Sequence, residues 1–267
     1  MDAATANARA LQLRNLHVPG TPIVFANIYD PPTAEFVASQ PSCPALATAS
    51  YAVAHVHGFD DDDMDMETNL AALRRIIPVA LKHNKPITVD LQDGYGDHLE
   101  EVIESVIAMG ASGCNLEDKD NQTGKLLPFD VALDRVRRVL ATAAKAGVPN
   151  FALNARTDAI LVENDVDEAI RRGKAFLEAG ATTTFVWGGR KRVGLTTEEV
   201  VRICKELDGR INVIAWPGEL TVQELAEIGV ARISVGPRLW RAANAGFEEG
   251  AKHLLGEYEA MRTKMTK

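Results

Sequence analysis

The chain has 267 residues, 46% hydrophobic and 25% charged, an ordinary globular composition that suits one α/β barrel as well as two small domains. A net charge of -8 and a pI near 5.3 exclude the basic face that nucleic acid binding needs. Cys43, Cys114 and Cys204 are scattered without metal-ligand spacing, and no run reaches the ~18 apolar residues of a membrane span, so a cytoplasmic, reducing setting is expected.

The first 16 residues lack the apolar core of a secretion signal and read as a short amphipathic helix. Continuous β-rich runs follow at 23–27, 45–48, 87–91, 113–116, 151–154, 183–187, 211–215 and 232–235. Runs without alternation are strands buried on both faces, as in a parallel sheet. Helical spacing occupies 68–83, 99–109, 130–146, 167–179, 197–207 and 221–228, with Gly110, Gly147, Gly180, Gly209 and Gly229 as stop signals. A strand and a helix repeated this often predict right-handed β/α units. The expected fold class is α/β: a single (β/α)8 barrel over 1–267, with 237–267 as a C-terminal helical extension. No G-x-G-x-x-G follows a strand, which argues against a dinucleotide-binding sheet.

Barrel active sites lie at the C-terminal ends of the strands. Asp30, Ser50, Tyr51, Asp90, Gln92, Asp93, Glu117, Asp118, Arg156, Asp158, Trp187 and Trp216 fall there, whereas the opposite ends carry mainly Pro, Gly, Ala and Thr. Asp90 and Glu117 are candidate ligands for a hard divalent cation, since Mg²⁺ prefers oxygen and takes one or two carboxylates with water. Helix capping or a lysine partner explains such acids equally well. Arg156 is placed to grip a substrate carboxylate in bidentate fashion, or to pair with Glu117 or Asp158. The acidic run over 60–65 is a solvated loop unless one carboxylate turns to the site. His55, His57 and Cys114 read as non-catalytic. The polar loop over 119–125 is a lid or a plain exposed loop, and Trp187 and Trp216 wall the pocket or pack its rim.

Taken in order, several pieces resemble the isocitrate lyase / phosphoenolpyruvate mutase superfamily along nearly the whole chain. They are Tyr29-Asp30, Gly58-Phe59-Asp60-Asp61, Val89-Asp90-x-x-x-Gly94-Tyr95-Gly96, Asn115-Leu116-Glu117-Asp118, Ala155-Arg156-Thr157-Asp158-Ala159 and Ala179-Gly180-Ala181. The resemblance implies a barrel that assembles as a homotetramer or dimer, exchanging a C-terminal helix. It also implies Mg²⁺ or Mn²⁺ and a small 2-oxo acid, or its enolate, chelating the metal. By position, Asp61, Asp90 and Glu117 look like direct or water-mediated metal partners. Arg156 looks like the clamp on the substrate carboxylate and enolate, and Ser50 and Tyr51 fall where the family binds that carboxylate.

Departures from the family pattern bear on the reaction. The lyases carry a Lys-Lys-Cys-Gly-His-type loop whose cysteine is the general acid, and residues 119–128 hold neither cysteine nor histidine. Glu117-Asp118-Lys119 matches the lid of the mutases and phosphonopyruvate hydrolases, but Lys125 matches only across a gap. Gln92 stands where the family has a second acid; it can offer a neutral oxygen to the metal or bind a metal water, and it lowers the site's negative charge. The leading expectation is a Mg²⁺-dependent lyase cleaving a C–C bond beside the oxo or hydroxy group of a small acid, by decarboxylation or retro-aldol cleavage. Solvent, Lys125, Lys119 or Tyr51 supplies the proton. P–C chemistry comes second, drawing a base from 119–125 or from Arg190-Lys191-Arg192, and a non-catalytic binding barrel third.

Overall fold

Eight parallel strands form the centre of the computed structural model, which describes residues 1–189, 194–216 and 219–265. They are β1 (Ile23–Phe25), β2 (Leu46–Ala47), β3 (Ile87–Asp90), β4 (Gly113–Glu117), β5 (Ala152–Thr157), β6 (Thr183–Val186), β7 (Ile211–Ile214) and β8 (Arg232–Ser234). From β2 to β8 each strand pairs with its successor, and β8 returns to β1. The seam between β1 and β2 is spanned by a parallel bridge, Ile28 to Thr48, where the Ile28 N–H donates to the Ala47 carbonyl at 2.9 Å. The sheet is thus the expected (β/α)8 barrel.

The helices are α1 (Ala3–Asn15), α2 (Pro31–Ser39), α3 (Ser50–Val56), α4 (Met66–Lys82), α5 (Leu99–Met109), α6 (Phe129–Lys145), α7 (Ala159–Glu163), α8 (Val166–Glu178), α9 (Thr197–Glu206), α10 (Val222–Ile228) and α11 (Arg238–Met265). Gly110 and Gly229 end α5 and α10 in the left-handed region. Three helices, α2, α3 and α7, lie where the sequence suggested only loops. Pro31 and Pro32 look like a turn, but proline suits the first helical turn, where its missing N–H is not needed.

Helix α1 sets which end of the barrel is open. Leu13 is fully buried and packs with Ile23, Phe25, Ala45, Ala47 and Ala152, while Asn7 accepts the Asn150 N–H at 2.9 Å. Each side chain as large as Leu13 or Phe25 stabilises the fold by about 1.5–3 kcal/mol on burial. The N-terminal end is closed by this plug, so the C-terminal end remains for ligands. Strand β5 runs on to Thr157, beyond its predicted end at 154, because Arg156 and Thr157 still pair with β6. Helix α11 has no buried residue, and Phe247, Leu254, Leu255 and Tyr258 are exposed along it. No described helix is long and apolar enough to cross a membrane.

Candidate active site

A cavity of about 120 Å³ opens at the C-terminal ends of the strands, lined by Ser50, Tyr51, Asp61, Asp90, Arg156, Trp187 and Trp216 among others. A wider groove outside it is bounded by residues 60–63, Lys119 and Leu161, and shares Tyr51 and Arg156.

Asp90 ends β3, and the turn behind it makes its position possible. Gln92, Gly94, Tyr95 and Gly96 all adopt positive φ. A Cβ on Gly94 would lie 2.6 Å from Leu99 Cδ1, so this position requires glycine. Arg135 of α6 donates to the carbonyls of Asp93 and, at 3.1 Å, of Gly96, which fixes the turn from below. Asp93 accepts the N–H groups of Tyr95 at 2.9 Å and Asn121 at 3.1 Å, tying this loop to the next.

The Asp90 carboxylate accepts the Ser50 N–H at 3.0 Å on one oxygen and the Asn115 amide at 3.0 Å on the other. Asn115 in turn accepts from the Asn154 amide at 3.0 Å, and Asn154 accepts from the Thr183 hydroxyl at 2.7 Å. A chain of neutral dipoles across β3 to β6 therefore holds the acid in place. Asp61, from the acidic run, accepts from the Ser50 hydroxyl and from Gln92 Nε2, both at 3.2 Å. The same Gln92 amide nitrogen donates to the Asp61 carbonyl. Burial, reinforced by the Asp90 charge, pushes the Asp61 carboxyl up to about 6.

Arg156 Nη1 lies 2.7 Å from Glu117, and its Nε donates to Asp158 at 2.9 Å. Burial opposes the Arg156 charge, but Asp158 and Glu117 outweigh it and the guanidinium stays firmly protonated. Burial raises the Glu117 carboxyl, with Arg156 pulling the other way. Asp118 turns to a second pair, 3.1 Å from Arg172 of α8, and accepts the Asp158 N–H at 2.8 Å. Burial and Asp158 push its carboxyl up to about 6. Asp158 is fully buried, and its Oδ2 has no partner among the described residues.

Aromatic rings surround the entrance. Tyr51 stacks on His55 at 4.0 Å, Trp240 meets both edge-on, and Trp187 lies 6.2 Å from Trp216.

The structure thus brings Ser50, Tyr51, Asp61, Asp90, Arg156, Trp187 and Trp216 to one cavity, with Glu117 on Arg156 and Gln92 on Asp61. It does not bring Asp30 or Lys125 there. Asp30 caps α2 through Thr33, and Lys125 stands exposed in its loop. Lys119 lines the outer groove and pairs with Asp62 at 2.9 Å. Arg190, Lys191 and Arg192 lie outside the described residues. Sequence reasoning missed Asn115, Asn154, Asn212 and Arg232, all of which line the cavity. The available signal was polar residues inside runs otherwise apolar enough for buried strands.

No group of three or more His, Cys, Asp or Glu stands ready to hold a metal among the described residues. The donors present are oxygens, and burial, with the Asp90 charge second, raises the Asp61 carboxyl. That combination fits a hard cation held by one or two carboxylates, with water completing its shell.

A (β/α)8 barrel with an acidic, arginine-bearing cavity at the strand C-termini is the layout of an enzyme acting on a small molecule. The family model described as phosphoenolpyruvate phosphomutase matches residues 13–255. A solved Burkholderia cenocepacia J2315 structure, provisionally described as a phosphonomutase, is 33% identical with a TM-score of 0.84, over 93% of this chain and 99% of that one. An uncharacterised protein of Mycobacterium tuberculosis (strain H37Rv) is 28% identical over 229 residues, 85% of this chain and 82% of that one. The phosphonopyruvate hydrolase of Variovorax sp. (strain Pal2) is 27% identical over 195 residues, 70% of this chain and 62% of that one. The chain belongs to the phosphoenolpyruvate mutase / isocitrate lyase superfamily, and its relatives there are carbon–carbon lyases and mutases.

Proposed function

We propose that the protein is a Mg²⁺- or Mn²⁺-dependent lyase that cleaves the C–C bond beside the oxo or hydroxy group of a small 2-oxo or 2-hydroxy acid. The observation that carries this reading is the meeting of Asp90, Asp61 and Arg156 at one small cavity, with Glu117 on Arg156 in the groove beside it. Asp90 would hold the cation, with Asp61 and Glu117 as direct or water-mediated partners. When bound, the metal supplies Lewis-acid stabilisation of the enolate charge.

The chain's own groups do the rest. Gln92 directs its nitrogen at Asp61, so it orients that carboxylate rather than offering its own oxygen. Arg156 is preset by Glu117 and Asp158 and faces the developing enolate, where loss of one such donor typically costs about 3 kcal/mol. Ser50 and Tyr51, at the start of α3, border the place for the substrate carboxylate. When the C–C bond breaks, its electron pair passes into the enolate, and a proton must reach the carbon left behind. Of Lys125, Lys119 and Tyr51, only Tyr51 lines the cavity, which makes its hydroxyl, or water beside it, the proton source. The aromatic entrance suits a substrate with an apolar far end.

The test is pyruvate release from a panel of 2-oxo and 2-hydroxy acids, coupled to lactate dehydrogenase, with Mg²⁺ or EDTA. Metal-dependent turnover is expected; no turnover, joined with no thermal shift on adding metal and oxalate, would sink the reading. P–C cleavage stands second, supported by the phosphonopyruvate hydrolase among the relatives and by Lys119 in the outer groove. Phosphate release from phosphonopyruvate separates the two. We also propose a homo-oligomer, a dimer or tetramer, in which α11 packs on a second copy. Its apolar face is uncovered, and an apolar groove containing Phe36, Val37 and Leu239 lies at its base. Light scattering of the whole chain against one ending at Pro237 checks this. The cysteines are free thiols, which suits the cytoplasm.

A further inference from the structure

Two guanidiniums line the cavity among the described residues, and they are held very differently. Arg156 is engaged by two carboxylates. Arg232, on β8, is 4% exposed, and its described contacts are all neutral. Its Nη1 lies 3.4 Å from His17 Nε2, and its guanidinium lies 4.6 Å from the centre of the Phe25 ring. His17 Nδ1 faces the Leu13 carbonyl at 2.9 Å, so that nitrogen carries the proton and Nε2 accepts. Burial, with the Arg232 charge, drives this imidazole down to about 3, so the ring brings no charge. Asp90 is the acid whose field reaches Arg232, yet its own oxygens accept from Ser50 and Asn115.

A buried cation with no counter-charge in direct contact is strongly disfavoured. Burial pulls Arg232 down to about 9, yet a guanidinium stays charged at neutral pH. Among the described residues its Nε has no partner, and neither does Oδ1 of Asn212, the residue directly paired with Arg232 on β7. The Asn212 amide donates to Ser234 Oγ at 3.1 Å, which leaves the Ser234 hydroxyl proton free to serve a ligand. The four residues Arg232, Asn212, Ser234 and Arg156 all line the same cavity.

We infer that Arg232, with Asn212 and Ser234, forms a carboxylate subsite in this cavity, separate from the group of acids around Asp90. Arg232 and the Ser234 hydroxyl donate to the carboxylate oxygens, while Asn212 Oδ1 accepts from a water or from a substrate hydroxyl. The carboxylate is a second one on the substrate, the first lying at Ser50 and Tyr51, which rests on the small-acid reading above, or it is that of a free small acid such as formate.

Calorimetry of the whole protein with formate, in the wild type, Arg232→Met and Ser234→Ala, tests this, together with bromide anomalous scattering from crystals soaked in sodium bromide. A bromide peak is expected at hydrogen-bond distance from Arg232. Formate affinity should fall about 10- to 100-fold in Arg232→Met, the loss of a charge-assisted hydrogen bond, and several-fold in Ser234→Ala. Should Arg232→Met fail to fold, Ser234→Ala and the bromide peak decide. If saturating oxaloacetate, a di-acid, abolishes formate binding and pyruvate does not, the subsite serves the substrate's second carboxylate; if formate binds beside both, it holds a free anion, and either supports it. No bromide at Arg232, or formate affinity unchanged in every folded variant, overturns it. None of these readings needs turnover, so a failed lyase assay beside a bromide peak would sink only the proposed reaction.

Discussion

The isosteric exchange Gln92→Glu tests whether one amide controls the acidic group. Gln92 is 2% exposed, and its nitrogen donates to both the carbonyl and Oδ1 of Asp61. Glutamate replaces that donor with an acceptor 3.2 Å from Asp61 Oδ1. Two charges at that distance repel by about 5 kcal/mol at an effective dielectric of 20. Protonating one carboxyl is the cheaper route. Because Asp61 already titrates near 6, holding a proton there at pH 8 costs only about 3 kcal/mol, at 1.36 kcal/mol for each unit.

The sign follows from linkage. The folded variant binds a proton that the unfolded chain, with ordinary carboxyls, releases above pH 4 to 5. Its stability therefore falls as pH rises through that window and beyond. The expected deficit against wild type is about 3 kcal/mol at pH 8, or about 6 °C in Tm for a chain of this size, shrinking to a few tenths of a kcal/mol at pH 5.5, where Asp61 already holds its proton. Thermal melts in EDTA at the two pH values measure it. Added Mg²⁺ should restore more stability to the variant than to wild type, since one more carboxylate faces the ion. An equal deficit at both pH values would refute the electrostatic account of Gln92.

The other expectations concern the same cluster. Arg156→Gln leaves Glu117 and the fully buried Asp158 without their shared cation and should cost about 3–5 kcal/mol in urea melts. Arg156→Lys keeps the charge but not the fork, so it should retain most stability while kcat/KM falls about 100-fold or more. Tyr51→Phe should lower kcat by about 100-fold or more as the loss of a general acid, while Lys125→Ala, exposed in its loop, should leave kcat within about twofold in the same steady-state assay. A proton on Asp61 competes with the metal, so Mg²⁺ affinity by calorimetry should climb as pH rises through about 6, with proton release visible as buffer-dependent heat.

What the sequence revealed was local. The strands and their glycine stops were legible because, apart from Val24 in β1, the runs bury both faces, and Gly110 and Gly229 need the left-handed region. Asp30 looked like one more acid at a strand end. Thr33, three residues on, closes a capping box with it and marks the start of α2. The Arg156 alternatives were both half right, for the residue lines the cavity and pairs with Glu117 and Asp158 together. The inward asparagines were illegible because a buried amide is tolerable only when the opposite strand supplies its partner, as Asn154 does for Asn115. Pairing of that kind is long-range and leaves no spacing to read. The direction of the Gln92 amide was hidden for the same reason, since it depends on a loop 31 residues away.

The distribution of charge explains how one small cavity can favour an acid substrate despite an acidic protein. Around Asp90 two acids stand together, and burial with the Asp90 charge raises the Asp61 carboxyl to about 6. At Arg232 the charge is positive, with neutral groups in direct contact and Asp90 acting only at a distance. An approaching carboxylate is therefore repelled by one group and attracted by the other, within walls of Phe185, Trp187 and Trp216 that screen neither. A divalent cation beside Asp90 would reverse the first effect and leave the second intact, so metal and substrate would each strengthen the other's binding by the same factor. The neutral Gln92 sharpens this balance. It adds no negative charge where the repulsion is greatest and uses the amide to hold Asp61 in place.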